Sequence, residues 1–198
     1  MARKTMAMKR RTEISQGLYR CIVKRGYANT SVRDIAREAG LGLGLITHYF
    51  KSKDEILYTM TQAIFDSYQQ DLLLLFRQHQ EKAPRERLRM GIDFFFVKVS
   101  GDGDLIKVFH ELWSLSHHNR RLRNALKRMY GQYREEVADA VSECLGASGR
   151  QTKKVSDVSA FLVSAAEGAA IQWFLDPKNI NLRRLAKLAS RFADGFFE

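Results

Sequence analysis

Between residues 40 and 53 the chain reads GLGLGLITHYFKSK. If Leu43 to Tyr49 is helical, its 3.6-residue period turns Ile46 and Tyr49 inward, alongside Ile35, Ala39 and Leu41 of the segment before it. Gly42, Leu43, Gly44, Thr47 and His48 are then left on the outer face. That face carries no acid and no nucleophile–base pair. It offers two glycines over which another backbone could pass closely, a hydroxyl, an imidazole and one apolar side chain. Glycines weaken a helix, so their presence there needs a reason outside helix stability. Tyr49, Lys51 and Lys53 follow at the C-terminal end, where cations suit both the helix dipole and a phosphate backbone. The chemistry these residues can do is recognition of a polyanion.

The elements that must hold this face are legible around it. Ala36 is small enough for a close helix crossing, and Gly40, four residues later, tolerates the positive φ of a tight turn. Together with the run that follows, they spell a helix-turn-helix. Ser31 and Asp34 form a capping box that starts its first helix near Val32. A helix from about Arg10 to Arg25 precedes it, with Ile14, Leu18, Cys21 and Ile22 on one face and Gly26 as its stop. A long helix begins near Lys53. Five more are expected: Arg85–Ser100 behind Pro84, Asp104–His117, Arg120–Leu145 stopped by Gly146 and Gly149, Thr152–Leu175, and Leu182–Phe197. The expected fold is all-α, with about nine helices.

Charge divides the chain. Of its net +11, residues 1–53 hold 12 Lys/Arg against 3 Asp/Glu, and the other 145 residues hold 21 against 19. A solvated face alone would not concentrate cations so strongly at one end; a polyanion-reading head on a nearly neutral body would. MARKTMAMKRR lacks the apolar centre of a signal peptide, and no uncharged apolar run reaches the roughly 18 residues of a membrane span. Cys21 and Cys144 show no metal or redox spacing. A cytoplasmic protein is expected.

The segment TSVRDIAREAGLGLGLITHYFKSKDEIL resembles the N-terminal domain of the TetR/AcrR family of transcriptional regulators. The shared features are Thr30, Ser31, Ile35–Ala36, Gly40, Gly44, Ile46, Tyr49–Phe50 and Lys53, followed by an acidic pair and Ile56–Leu57. ITHYF is similar to the subgroup of choline-sensing repressors of betaine synthesis. The resemblance implies a DNA-binding head at 1–53 and a ligand-binding and dimerisation domain at 54–198. It implies contacts to a double-stranded operator from Thr30, Ser31, Arg33, Gly42, Leu43, Gly44, Thr47, His48, Tyr49, Lys51 and Lys53. Two positions depart from the pattern. Thr47 stands where a tyrosine is frequent, which leaves at most a hydroxyl for that phosphate. Leu43 stands where many relatives are polar, and either touches a thymine methyl or tucks under the first helix. For Arg33 the choice lies between groove contact and a solvated helix face.

Residues 85–175 are rich in aromatics, which on helices are either plain core or the walls of a chamber. The resemblance implies a small-molecule cavity, for which Phe95, His110, Trp113, Tyr130 and Glu167 are the candidate walls. Glu167 interrupts the apolar run SAAEGAAIQW and needs a partner: a cationic ligand, an arginine across a dimer, or solvent. The small residues Ala160, Ser164, Ala165, Gly168 and Ala169, with Leu182, Leu185, Leu188, Ala189, Phe192 and Phe196 further on, suit either close packing within one subunit or a homodimer interface. His110, Glu111, His117 and His118 raise a metal reading, but adjacent histidines point apart and no HExxH spacing occurs. No cofactor motif or enzymatic constellation is present. The expected function is ligand-released repression of transcription at a palindromic operator. The competing class is a helical metabolite- or lipid-binding protein whose basic head lies on membranes.

Overall fold

The computed structural model describes residues 2–146 and 153–197, with side chains from Thr5 onward. Among these residues there are nine α-helices and no strand: α1 Ala2–Arg25, α2 Val32–Ala39, α3 Leu43–Tyr49, α4 Lys53–Gln78, α5 Pro84–Asp93, α6 Gly103–Ser116, α7 Arg120–Leu145, α8 Lys153–Leu175 and α9 Leu182–Gly195. The expected boundaries of α2, α3 and α7 are met. α1 begins a full two turns before Arg10, and the positions of Gly149 and Thr152 lie outside the described residues.

α5 does not run unbroken to Ser100. It passes into a π-helical stretch, Phe94–Val99. The wider turn rotates less per residue, so three successive phenylalanines stay nearer one face; Phe94 and Phe96 are buried and Phe95 is half-buried. The Ser100 amide closes the stretch on the Phe95 carbonyl at 3.0 Å.

The chain forms two compact units. The first comprises residues 1–69 and 107–126, the second 70–106 and 127–198. α4, α6 and α7 contribute residues to both.

In the first unit Ile14, Leu18 and Cys21 of α1, Ile35 of α2, Ile46 of α3 and Leu57 of α4 are buried. Ser31 caps α2: its hydroxyl accepts from the Asp34 amide at 3.2 Å, while the Asp34 carboxylate accepts from the Ser31 amide at 2.9 Å. Gly40 closes α2 at φ 68°, a left-handed conformation that favours glycine. α1 approaches α2 closely at Gly17, where a Cβ would stand 2.9 Å from the Ile35 carbonyl oxygen and 3.0 Å from the Ala39 Cβ. That requirement sits on the helix before the helix-turn-helix.

The second unit is built on Leu88, Ile92, Phe96, Val141, Leu162 and Ala186, with further buried alanines along α8 and α9. By length and composition alone α8 could cross a bilayer. Its Val155, Val158, Leu162, Ala166 and Ala169 are core residues of this unit.

Candidate nucleic-acid interface

α3 presents the face its spacing implies. Ile46 is buried, and Gly42, Leu43, Gly44, Thr47 and His48 are exposed. Leu43 is 40% exposed, so it stands out to solvent and does not tuck under α1. A Cβ at Gly42 or Gly44 would meet nothing within 4 Å. Neither glycine is required by the chain's own packing; both leave room for an approaching surface. The Thr47 hydroxyl lies 3.1 Å from the Gly44 carbonyl, to which it donates, and keeps its lone pairs for an outside donor. The Tyr49 ring is half-buried and meets His48 edge-on at 4.9 Å.

The basic residues of the head fall into two groups. Arg20 and Lys24 meet Glu38 at 3.7 and 2.7 Å, and Arg25 and Arg37 meet Asp34 at 3.2 and 3.4 Å. Hydrogen bonds from Ser31 hold the Asp34 carboxyl below its usual range, and one from Lys24 does the same for Glu38. These four cations share two carboxylates, so the pairs fix their side chains while residues 1–53 keep their net positive charge. Arg33, on the first turn of α2, and Lys51, after α3, are exposed and form no ion pair among the described residues.

Two residues expected at the operator are engaged within the head. Thr30 is only 3% exposed; its hydroxyl donates to the Gly26 carbonyl at 2.8 Å and its amide to the Tyr27 carbonyl at 3.1 Å. Both donors hold the turn between α1 and α2. The Lys53 ammonium donates to the Tyr27 and Thr30 carbonyls at 3.0 and 2.9 Å and sits 3.9 Å from the Tyr27 ring centroid. It pins that turn first, with one N–H left over. Tyr27 completes the arrangement by donating to Asp54 at 2.5 Å, and burial with the Asp54 bond pushes its hydroxyl pKa upward. Ser31 is exposed, but its hydroxyl belongs to the cap of α2.

The five candidate wall residues are divided between the two units. Phe95, Tyr130 and Glu167 belong to the second unit, and His110 and Trp113 to the first. There Trp113 packs with Phe109 at 5.9 Å and His110 at 5.5 Å, a cluster that Phe65 extends. His110 also lines an open groove with Lys107, Glu111 and Gly26. At Gly26 (φ 77°) a Cβ would stand 2.8 Å from Glu111 Oε1. The second unit has an apolar cavity lined by its own residues.

That cavity holds about 420 Å³ of empty space, part of it open to solvent, between Leu72, Phe76, Ile92, Phe95, Glu136 and Leu162. Beside it Phe95 meets Tyr133 at 5.4 Å. Tyr130 hydrogen-bonds Glu167, whose carboxyl is pushed up by burial and held back by that bond and by Arg134. Tyr133 feels the Glu136 and Glu167 charges in addition to its own burial. Glu136 and Tyr133 were not singled out from sequence. The available signal was the i, i+3, i+4, i+7 set Tyr133, Glu136, Val137 and Ala140, an acid inside an otherwise apolar helical stripe.

Residues 16–59 match the family model of bacterial regulatory proteins of the tetR family, and residues 84–198 match that of the BetI-type transcriptional repressor C-terminal domain. The chain belongs to the TetR family. As a TetR-family member it is a ligand-responsive, DNA-binding regulator of transcription, and the helix-turn-helix described above is its reading head. It is 26% identical over 187 residues to the HTH-type transcriptional regulator BetI 1 of Chromohalobacter salexigens, covering 93% of this chain and 89% of that one. Two solved structures share its fold. A putative transcriptional regulator from Saccharomonospora viridis, in complex with choline, has a TM-score of 0.79 at 20% identity, with 94% and 96% of the chains covered. FadR from Bacillus subtilis, in complex with stearoyl-CoA, has a TM-score of 0.74 at 22% identity, with 92% and 96% covered. Two neighbours with unlike ligands show that the fold by itself does not name an effector.

Proposed function

We propose that this TetR-family chain is a cytoplasmic, homodimeric repressor released from an inverted-repeat operator by a small organic cation of the choline class. Residues 1–53 form its DNA head and residues 54–198 its effector and dimer body. Leu43, Thr47 and His48 read base edges over the low backbone at Gly42 and Gly44, while Arg33, Tyr49 and Lys51 engage phosphates and Ser31 lies alongside. Two heads on one face of the duplex place their recognition helices about 34–36 Å apart, one helical turn. An effector that binds one spacing of the heads better than the other shifts the population and takes the helices out of register.

The observation that carries the effector class is Glu167. It is a half-buried carboxylate in an apolar run, with Tyr130 as hydrogen-bond donor and the Tyr133 and Phe95 rings in the same unit. Desolvated carboxylate plus aromatic faces is a composition suited to a quaternary ammonium. The BetI-type C-terminal match and the choline-bound fold neighbour point the same way.

For the dimer, Phe161 and Phe192 are 49% and 48% exposed with ring centroids 4.4 Å apart, and Leu188 is 58% exposed. A Cβ at Gly168, on the same helix, would meet nothing within 4 Å. An apolar, glycine-notched face on α8 and α9 suits a second copy of the chain.

The test is displacement of a duplex selected by the wild-type protein from a random library. Choline should release it, and Glu167→Gln should bind the duplex normally but not respond. Because burial raises the Glu167 pKa, choline affinity should fall on acidification at a higher pH than for an ordinary carboxylate. Release by an acyl-CoA and not by choline would refute the cationic reading.

A further inference from the structure

Arg11 lies on α1, in the basic N-terminal run whose charge suggests phosphate contact. Its guanidinium is turned inward. Nη1 donates to the Tyr49 carbonyl at 2.6 Å, and Nη2 donates to Glu55 Oε1 at 3.2 Å and to Thr59 Oγ1 at 3.3 Å. The guanidinium carbon sits 4.0 Å from the centroid of the Phe50 ring. The partners fit as acceptors: Thr59 spends its own proton on the Glu55 carbonyl at 2.9 Å. The other Glu55 oxygen accepts from the Lys51 amide at 2.8 Å, a bond that holds this carboxyl below its usual range, with Arg11 adding to the effect.

The Tyr49 carbonyl is one of the last on α3, and Phe50 is the buried residue that ends it. Such terminal carbonyls have no partner inside the helix and carry the negative end of its dipole. One cation from α1 therefore caps the recognition helix, stacks on the residue that terminates it, and ties both to the first turns of α4. A lysine could supply the charge but not a planar fork that meets three acceptors while lying on a ring.

We infer that Arg11 and Glu55 form a clasp that sets the orientation of the recognition helix, making Arg11 a positioning residue for sequence discrimination that does not itself neutralise a phosphate. This rests on assigning the outer face of α3 to base edges. A helix end released at Tyr49 turns Leu43, Thr47 and His48 relative to the rest of the head. Base reading suffers from such a rotation more than phosphate attraction does, because hydrogen bonds to base edges are directional and the phosphate field is not.

The experiment compares wild-type, Arg11→Lys, Arg11→Ala and Glu55→Gln full-length proteins. Each is titrated against the library-selected duplex and a shuffled duplex of equal length, over a range of salt. Arg11→Lys should lose about tenfold on the selected duplex, the scale of one good base contact, and less than about twofold on the shuffled one. Its salt dependence should match wild type. Lys51→Ala, as the contrast, should lose affinity on both duplexes and lower the logarithmic salt slope by about one per phosphate contact removed. Glu55→Gln, which keeps the shape but halves the acceptors, should reproduce the Arg11→Lys pattern more weakly. If Arg11→Ala fails to fold, the two milder variants decide. Equal losses on both duplexes with a reduced salt slope would make Arg11 a phosphate contact and overturn the clasp, as would unchanged discrimination in both Arg11→Lys and Glu55→Gln. His48→Ala separates the two layers: if it leaves discrimination untouched, the assignment of the α3 face fails, whatever Arg11 does.

Discussion

Adding one methyl group at Gly17 tests how α1 and α2 are held. Alanine is the better helix former, and an unobstructed Gly→Ala change inside a helix stabilises by about 0.5–1 kcal/mol. At Gly17 the new Cβ would stand 2.9 Å from the Ile35 carbonyl oxygen, 3.0 Å from the Ala39 Cβ and 3.2 Å from the Ala39 amide nitrogen. All three atoms belong to the backbone or first carbon of α2, so no flexible side-chain end can swing away. α2 must move by several tenths of an ångström, and overpacking of this kind costs about 1–3 kcal/mol. The clash outweighs the propensity gain, and Gly17→Ala should destabilise by about 0.5–2 kcal/mol. Gly168→Ala, where the added carbon meets nothing, gives the propensity effect alone and should be neutral or stabilising unless the dimer needs the notch. Gly44→Ala should likewise fold well, yet lose DNA affinity because the methyl stands on the reading face. Urea denaturation followed by circular dichroism measures the first two, and duplex titration the third. A Gly17→Ala protein more stable than wild type would refute the close-packing argument, since it would mean that the helices separate at no cost.

Three further outcomes follow from the same geometry. Lys53→Met should destabilise by about 1–3 kcal/mol, the scale of hydrogen bonds to a charged group, because two carbonyls of the α1–α2 turn lose their donor; loss of DNA affinity in a protein of wild-type stability would return Lys53 to phosphate contact. Phe161→Glu with Phe192→Glu should give a monomer by sedimentation with intact helical content and a collapsed operator affinity; a persistent dimer would place the interface elsewhere. Asp34, Glu38 and Glu55 have lowered folded pKa values, so their stabilisation is present above the ordinary carboxylate range near pH 4 and is lost as pH falls through the folded values. Acid titration of Glu55→Gln should therefore show a shallower loss of stability below about pH 4 than wild type.

What the sequence determined by itself is what depends on neighbours along one helix. Ser31 and Asp34 announce the start of α2, Gly40 its left-handed end, and the period of residues 43–49 the separation of Ile46 from Leu43, Thr47 and His48. These signals act within about one helical turn, so spacing is enough to read them. Residue types in the same short window also suggested polyanion recognition before any partner was placed. Only the tertiary structure decided which cations are free for that task. Arg11 finds its acceptors 38 to 48 residues away, and Lys53 finds the Tyr27 and Thr30 carbonyls 26 and 23 residues away. A charge count registers such side chains as surface cations, because nothing in their local pattern says that a carbonyl or carboxylate awaits them. Thr30 is the local counterpart: its hydroxyl and amide donate to the Gly26 and Tyr27 carbonyls within the turn that follows α1. Gly17 lies inside α1, and its need for a bare Cα appears only when α2 lies against it. In the body, aromatic composition could not say which rings share a cavity. Helical period gives the angle of a side chain about its own axis, but which axes lie together is set by how the helices pack, and that placed Phe95, Tyr130 and Glu167 in one unit and His110 and Trp113 in the other.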